Sequence, residues 1–251
     1  MKVGWLGHAT TCVQLDGTTI LTDPALRPRM AGLVRHAAQP QPSAWQEVDA
    51  VLISHAHYDH LDLPSLHLLG AAVHVVVPRG LAAFVRRAGV PRVSELGVGD
   101  RVALGSVTVE AVPARHTGRR LPRGPAARAI GYVIEGSRRA YFAGDTGLFD
   151  GMDEIGRRGV DLALLPVGGW GPRLRGGHLD PASAAEALTL LRPSVAVPIH
   201  WGTFWPTGMR WIGRDRFEKP GRQFMEHAAA VAPEVEVTVL TPGETVTLPD
   251  G

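Results

Sequence analysis

The chain has 251 residues, 45% of them hydrophobic, with 26 Lys or Arg against 24 Asp or Glu and a formal net charge of +2. That length suits one large domain or two small ones with ample core, and no run approaches the roughly 18 apolar residues of a membrane span. The near-neutral balance gives no electrostatic case for a nucleic-acid partner, and the single cysteine, Cys12, excludes an intrachain disulfide framework.

In chain order, Val3–Leu6, Cys12–Leu15 and Thr18–Leu21 read as a strand meander, with a hairpin turn at Asp16-Gly17. No apolar signal segment precedes the first strand, so a cytoplasmic location is the expectation. A Pro- and Arg-rich loop follows from Thr22 to about Pro42, long enough to be either functional or mobile. A strand over 49–54 ends in His55. Leu61–Leu69 and Gly80–Ala88 read as helices on either side of a buried strand, Val73–Val77. Val93–Leu96, Arg101–Leu104 and Val107–Pro113 are strands, and an Arg/Pro/Gly loop after Ala114 leads to a hairpin of Ala129–Glu135 and Arg138–Ala143. A short helix at 151–158 and a buried strand at Val160–Val167 come next. The Gly/Trp/Arg loop 168–177 then leads to a helix over Leu179–Leu191, capped by Asp180 with Pro181 at its first position. Val195–Ile199 is a strand, 201–215 a Trp-rich loop, 216–230 an amphipathic helix, and Val235–Thr241 and Thr245–Leu248 close the chain as strands. Strand, loop and helix alternate twice, each half opening on a meander. The pattern predicts two mixed sheets packed face to face with helices outside, an αββα sandwich, read as a single domain over 1–251.

Chemistry concentrates at strand ends. His55, His57, Asp59 and His60 crowd into six residues directly after the apolar Val51-Leu52-Ile53. Three imidazoles that close repel one another and are costly to desolvate, so they need a partner, and imidazole with carboxylate suits borderline divalent cations. His116, Asp145 and His200 each follow another strand, and His8 follows the first. Mixed His and Asp without cysteine does not suit a closed structural zinc site, which favours thiolates.

His55-Ala56-His57-Tyr58-Asp59-His60 resembles the His-x-His-x-Asp-His signature of the metallo-β-lactamase-fold hydrolases, and His116, Asp145 and His200 are similar in order and character to that family's remaining ligands. The resemblance runs from Gly4 to His200. Trp5-Leu6-Gly7-His8-Ala9-Thr10, Thr22-Asp23-Pro24, Leu61-Asp62, His178-Leu179-Asp180-Pro181 and His200-Trp201-Gly202-Thr203-Phe204 look like the branch of N-acyl-phosphatidylethanolamine-hydrolysing phospholipase D and the ascorbate-6-phosphate lactonases. The resemblance implies two divalent metal ions, with zinc the first expectation and manganese, iron or nickel the others. His55, His57 and His116 would hold one, Asp59, His60 and His200 the other, and Asp145 would bridge them beside an activating hydroxide. Asp59, Asp145 and His178 are the catalytic candidates.

Asp23, Asp62 and the backbone around Gly7 are candidate acceptors for the ligands' outer N–H groups. His8 reads as a residue behind a ligand, a substrate contact or plain core. His178 reads as a substrate contact or general acid, or as a surface cap. Trp170, Trp201, Trp205 and Trp211 with Arg115, Arg119, Arg120, Arg123, Arg173 and Arg175 suggest an aromatic, basic rim, with His8, His178, Trp170, Trp201 and Arg115 as substrate contacts. Such a rim suits a small molecule with an anionic and an apolar part. No nucleic-acid partner and no membrane insertion are expected, and the oligomeric state is open. The expected function is metal-dependent hydrolysis of an ester-type bond in a small soluble substrate, phosphodiester or lactone first. A β-lactam-type amide hydrolase and a non-catalytic metal-bound sensor are the alternatives.

Overall fold

Two seven-stranded mixed sheets form the core of the computed structural model, which describes residues 1–120, 124–169, 177–209 and 217–248. The first runs β17 (Thr245–Thr247), β1 (Lys2–Gly7), β2 (Thr10–Leu15), β3 (Thr18–Thr22), β6 (Ala50–Leu52), β7 (His74–Pro78), β8 (Val93–Leu96). The second runs β16 (Glu236–Val237), β14 (Val195–Ile199), β13 (Leu162–Pro166), β12 (Arg139–Phe142), β11 (Ile130–Glu135), β10 (Val107–Pro113), β9 (Arg101–Leu104). Both follow one plan. An antiparallel meander, β1–β3 or β9–β12, passes into parallel strands, β6–β8 or β13, β14 and β16.

Side chains alternate faces along a strand, and both faces of these sheets are covered. The inward set, including Val3, Trp5, Val13, Ile20, Leu52 and Val76, meets Val109, Tyr132, Ile134, Phe142, Leu164 and Val197 of the other sheet. The outward set of the first sheet, Val51, Ile53, Val75 and Val77, packs on Leu66 of α1 (Leu63–Leu68) and Ala82 and Val85 of α2 (Ala82–Arg87). On the second sheet, Val133, Tyr141, Ala163 and Leu165 pack under α3 (Gly151–Arg157), α4 (Pro181–Leu191) and α5 (Pro220–Val231). The layers are therefore αββα, as the alternation predicts. Helix α4 carries the anticipated cap: Ser183 N donates to Asp180 Oδ1 at 2.8 Å, and Asp180 N donates to Ser183 Oγ at 2.9 Å. Its stripe of Ala184, Ala185, Leu188 and Leu191 is buried.

The differences lie where pairing is non-local. The stretch 22–42 is not all loop: β4 (Arg29–Met30) and β5 (Leu33–Arg35) form a hairpin, and β15 (Phe204–Pro206), from within the Trp-rich stretch, pairs with β5. Nothing near Arg35 in sequence announces Phe204 as its partner. The last strands are shorter than the apolar runs suggest, with only Glu236–Val237 paired in β16. The expected helix over 216–230 is observed as Pro220–Val231; residue 216 lies outside the described residues.

Helices α3 and α4 meet at Gly156, where an added Cβ would lie 2.2 Å from the Leu190 carbonyl and 2.7 Å from that of Leu191. Backbone cannot yield as a flexible side chain does. Gly156→Ala is therefore expected to destabilise the fold by about 1–3 kcal/mol, the usual range for overpacking, seen as a lower denaturant midpoint at unchanged m-value. An unchanged midpoint would show that the two helices are not in register as described.

Candidate metal centre

Strand ends of both sheets bring the site together. His8 follows β1, Asp23 follows β3, the 55–60 turn follows β6, His116 follows β10, Asp145 follows β12 and His200 follows β14. The backbone turns sharply at these points. His8, Asp23 and His200 have φ of 54°, 31° and 64°, and Gly144, just before Asp145, has 59°. Such left-handed residues, costly outside glycine, cluster where surrounding structure holds them for a purpose. At Gly144 a Cβ would lie 2.5 Å from that of Ser54, so the Asp145 loop presses directly on the approach to His55.

Two groups of nitrogen and carboxylate atoms result, each mutually within 4.8 Å: His55, His57, His116 and Asp145, and His8, Asp59, His60 and His200. The Asp145 carboxylate lies between them. Its Oδ2 is 3.3 Å from His60 Nε2, 3.9 Å from His116 Nε2 and 4.0 Å from His55 Nε2, and its Oδ1 is 3.3 Å from His200 Nε2. All seven residues singled out as metal ligands in the sequence are brought together; His8 joins the second group, and a third group of Asp23, His55 and His60 overlaps both.

The outer partners of the imidazoles determine what faces inward. His60 Nδ1 donates to Asp23 Oδ2 at 2.7 Å, and His116 Nδ1 donates to the Gly177 carbonyl at 2.7 Å. Ser54 Oγ donates to Asp23 Oδ2 at 2.5 Å, so the same hydroxyl accepts from His55 Nδ1 at 2.9 Å. His55 and His116 thereby keep the proton on the outer Nδ1 and turn an unprotonated Nε2 inward, and His60 likewise directs its Nε2 inward. His60 Nε2 then stands 3.1 Å from His200 Nε2, and His116 Nε2 stands 3.2 Å from His57 Nδ1. Asp145 Oδ1 is buried without a hydrogen-bond partner. Lone pairs converging around a buried carboxylate suit divalent cations, and the donor set fits them.

The electrostatics divide the rings: against burial, Asp145, Asp59 and Asp23 hold the His60 pKa well above its ordinary value, and His55, His57 and His116 go the opposite way. Burial, reinforced by His60, lowers the His55 pKa well below its ordinary value, and burial likewise lowers those of His57 and His116. Burial works against the Asp145 carboxylate, but His200, His60 and His55 around it hold its pKa well below the usual range. His8 is pushed down to about 3 by burial and by His200. Its ring sits 4.0 Å from that of His200, and Nε2 lies 3.1 Å from Asp59 Oδ2. His178, one-quarter exposed, brings Nδ1 to 3.5 Å from Asp145 Oδ2.

Asp23 acts as anticipated behind the cluster, but Asp62 does not. Asp62 caps α1 through Ser65 N and forms a two-bond pair with Arg27 at 2.8 and 2.7 Å, so its oxygens are taken up away from the imidazoles. Around Gly7, Thr203 and Arg35 crowd the backbone instead of an imidazole. Ser54 and the Gly177 carbonyl were not anticipated as partners; their positions directly before His55 and His178 were the available signal. Trp201 is a wall rather than a mobile rim, its indole donating to the Pro198 carbonyl at 3.0 Å and stacking on Trp5 at 5.3 Å. Arg115 is exposed and donates to the Leu148 carbonyl at 3.1 Å. Arg120 departs most from the expected rim: it is buried, 7% exposed, beneath the 55–60 turn. Trp170, Trp211, Arg123, Arg173 and Arg175 lie outside the described residues.

Comparison with known proteins is consistent with this geometry. A beta-lactamase superfamily domain matches residues 18–201. The UPF0173 metal-dependent hydrolase of Deinococcus radiodurans is 36% identical, over 99% of this chain and 100% of its own. An N-acyl-phosphatidylethanolamine-hydrolyzing phospholipase D of Caenorhabditis elegans is 34% identical over 80% of this chain and 63% of its own. Among solved structures, a metallo hydrolase of the archaeon Ignicoccus hospitalis superposes with a TM-score of 0.78 at 26% identity, covering 100% of this chain and 99% of its own.

In the metal-free protein, His8 stays neutral when folded down to about pH 3, whereas unfolded it gains a proton below about pH 6.5. The unfolded state then binds more protons, so stability falls as pH falls between those values. His8→Asn, which tolerates the left-handed backbone, is expected to flatten the fall between pH 6.5 and 5 by up to about one proton, roughly 1.4 kcal/mol per pH unit. Urea melts of the stripped protein at stepped pH measure this; parallel slopes for both proteins would refute it.

Proposed function

This chain belongs to the beta-lactamase superfamily and is one of its metal-dependent hydrolases, and from that premise we propose that it cleaves an ester-type bond, phosphodiester or lactone first, in a small substrate with an anionic and an apolar part. The observation that carries the reading is the convergence of inward-facing imidazole nitrogens on Asp145. His55, His57 and His116 would hold one divalent cation, Asp59, His60 and His200 the other, with Asp145 between and zinc the first candidate. Two bound cations would lower the pKa of a shared water towards neutrality and draw charge from the attacked group.

The remaining work falls to this chain's own side chains. Asp23, Ser54 and the Gly177 carbonyl keep the imidazole protons on the outer face. His8 donates from Nε2 to Asp59 Oδ2 and orients that carboxylate. At His178, burial lowers the pKa, with Asp145 opposing and His116 adding to the fall. It therefore serves as a neutral N–H donor to a substrate oxygen rather than as a stored acid. A cavity of about 390 Å³ is lined by Trp5, Trp201, Phe217, Ala37, Ala38 and Pro242. Trp201 and Phe217 also line the space against His8 and His200, which supports an apolar substrate arm reaching outward from the cluster. The relative named as a phospholipase D, an activity on a phosphodiester, supports the bond type. No helix among the described residues is long and apolar enough to cross a membrane.

The direct test is a panel of phosphodiesters, lactones, thioesters and β-lactams. Turnover of a phosphodiester or lactone supports the reading. Turnover of only the thioesters or β-lactams refutes the bond assignment, and tight binding with no turnover favours a metal-bound sensor. Asp145→Ala and His57→Ala are each expected to abolish turnover and reduce bound metal from two equivalents, by elemental analysis; full activity after chelation would overturn the proposal. His178→Ala is expected to lower kcat by about 10²–10³-fold, the cost of losing one oriented donor. His178→Gln should recover part of the loss because it restores a neutral N–H, whereas equal loss in both variants would point to proton transfer instead.

A further inference from the structure

Arg120 is buried, and among the described residues its guanidinium hydrogen-bonds to carbonyls and to no carboxylate. It sits on the segment after His116, where Arg119 and Ala126 form an isolated antiparallel bridge and Arg120 N donates to the Pro125 carbonyl at 3.0 Å. From this arm its Nη1 donates to the carbonyls of Ala56 at 3.0 Å and Leu61 at 2.9 Å. Those two carbonyls bracket the turn that carries His57, Asp59 and His60. The guanidinium also lies flat on Tyr58, 3.7 Å from its ring centroid, with Phe84 behind at 5.6 Å. One side chain thus grips both ends of the turn and the residue at its middle.

Few other restraints act there. Within the turn the backbone contributes His60 N to the His57 carbonyl at 3.2 Å and Leu61 N to the same carbonyl at 2.8 Å. Among the described residues His57 has no outer hydrogen bond comparable with those of His55, His60 and His116; the partners of its Nδ1 are the other inward imidazoles. The turn belongs to the first sheet and the arm to the second, so the contact also ties ligands delivered by one sheet to the segment that delivers His116 from the other. A charge-assisted hydrogen bond is stronger than a neutral one, and a planar guanidinium can donate to two carbonyls while its face covers an aromatic ring.

We propose that Arg120 is a positioning residue that preorganises the His57–Asp59–His60 turn, and with it both metal sites, before any cation binds. This rests on the two-metal reading given above. It assigns to this arginine a share of metal affinity, not a contact with substrate.

The test is titration of the metal-stripped protein with Zn2+ against a chelating indicator, alongside thermal melts of the same samples. Arg120→Met keeps the aliphatic stem against Tyr58 and Phe84 but removes both hydrogen bonds. It is expected to weaken Zn2+ binding by about 10–100-fold, the usual cost of losing an outer support of a metal site. Arg120→Lys should fall between Met and the native protein. Arg158→Met is the control, because Arg158 pairs with Glu110 at 2.8 Å and Glu135 at 3.0 Å on another part of the surface. It should lower the melting temperature while leaving Zn2+ affinity unchanged. If Arg120→Met does not fold, Arg120→Lys alone decides. Native Zn2+ affinity in the folded Arg120 variants, or a loss of affinity in Arg158→Met that matches the loss in Arg120→Met at the same fall in melting temperature, overturns the proposal while leaving the two-metal reading intact. A native protein that takes up no Zn2+ overturns both.

Discussion

Imidazole rings do not gather around a buried carboxylate unless something holds them there. His55, His60, His116 and His200 crowd Asp145 at 3.3–4.0 Å, and burial disfavours charge on His55 and His116. Much of the molecule answers that demand. Asp23 is fully buried so that it can take the outer protons of His60 and Ser54. His8, Asp23 and His200 accept left-handed backbone because the strand ends must turn inward within one residue.

The doubled plan of the fold explains how so many donors reach one place. Each sheet contributes a meander and then parallel strands, and the strand ends of both halves bring His or Asp together. The sandwich core of Trp5, Tyr132 and Phe142 keeps the sheets in register. Trp5 links this packing to the site: its indole donates to the His8 carbonyl at 2.8 Å, and His200 N donates to the same oxygen at 2.8 Å. Core packing and site geometry are thus one problem at this edge of the sandwich.

The arginines divide by environment, not by composition. Arg120 and Arg35 are both buried and both spend their guanidinium groups on backbone carbonyls: Arg120 on Ala56 and Leu61, Arg35 on Leu6 and Ala25. In each case the carbonyls flank site-bearing turns. Arg115 is exposed and engages Leu148 instead. A loop rich in arginine therefore supplies both internal staples and surface charge, and spacing along the chain does not distinguish them.

Much of this was legible in the sequence. Short apolar runs marked the strands, Asp180 and Pro181 marked the start of α4, and the density of His and Asp after Val51-Leu52-Ile53 marked the site, because these signals are local and each has a local physical cause. What tertiary structure alone decided is everything that depends on a distant partner. Phe204 pairs with Arg35 across about two thirds of the chain. Asp62 caps a helix and pairs with Arg27, whereas Asp23 alone serves the imidazoles. Asp23, by accepting from Ser54, sets the hydroxyl that meets His55, and the Gly177 carbonyl meets His116. Residue type determines which bonds a side chain can make; only the packing of two sheets determines which partners come within reach, since hydrogen bonds act over about 3 Å and the partners lie tens to hundreds of residues apart.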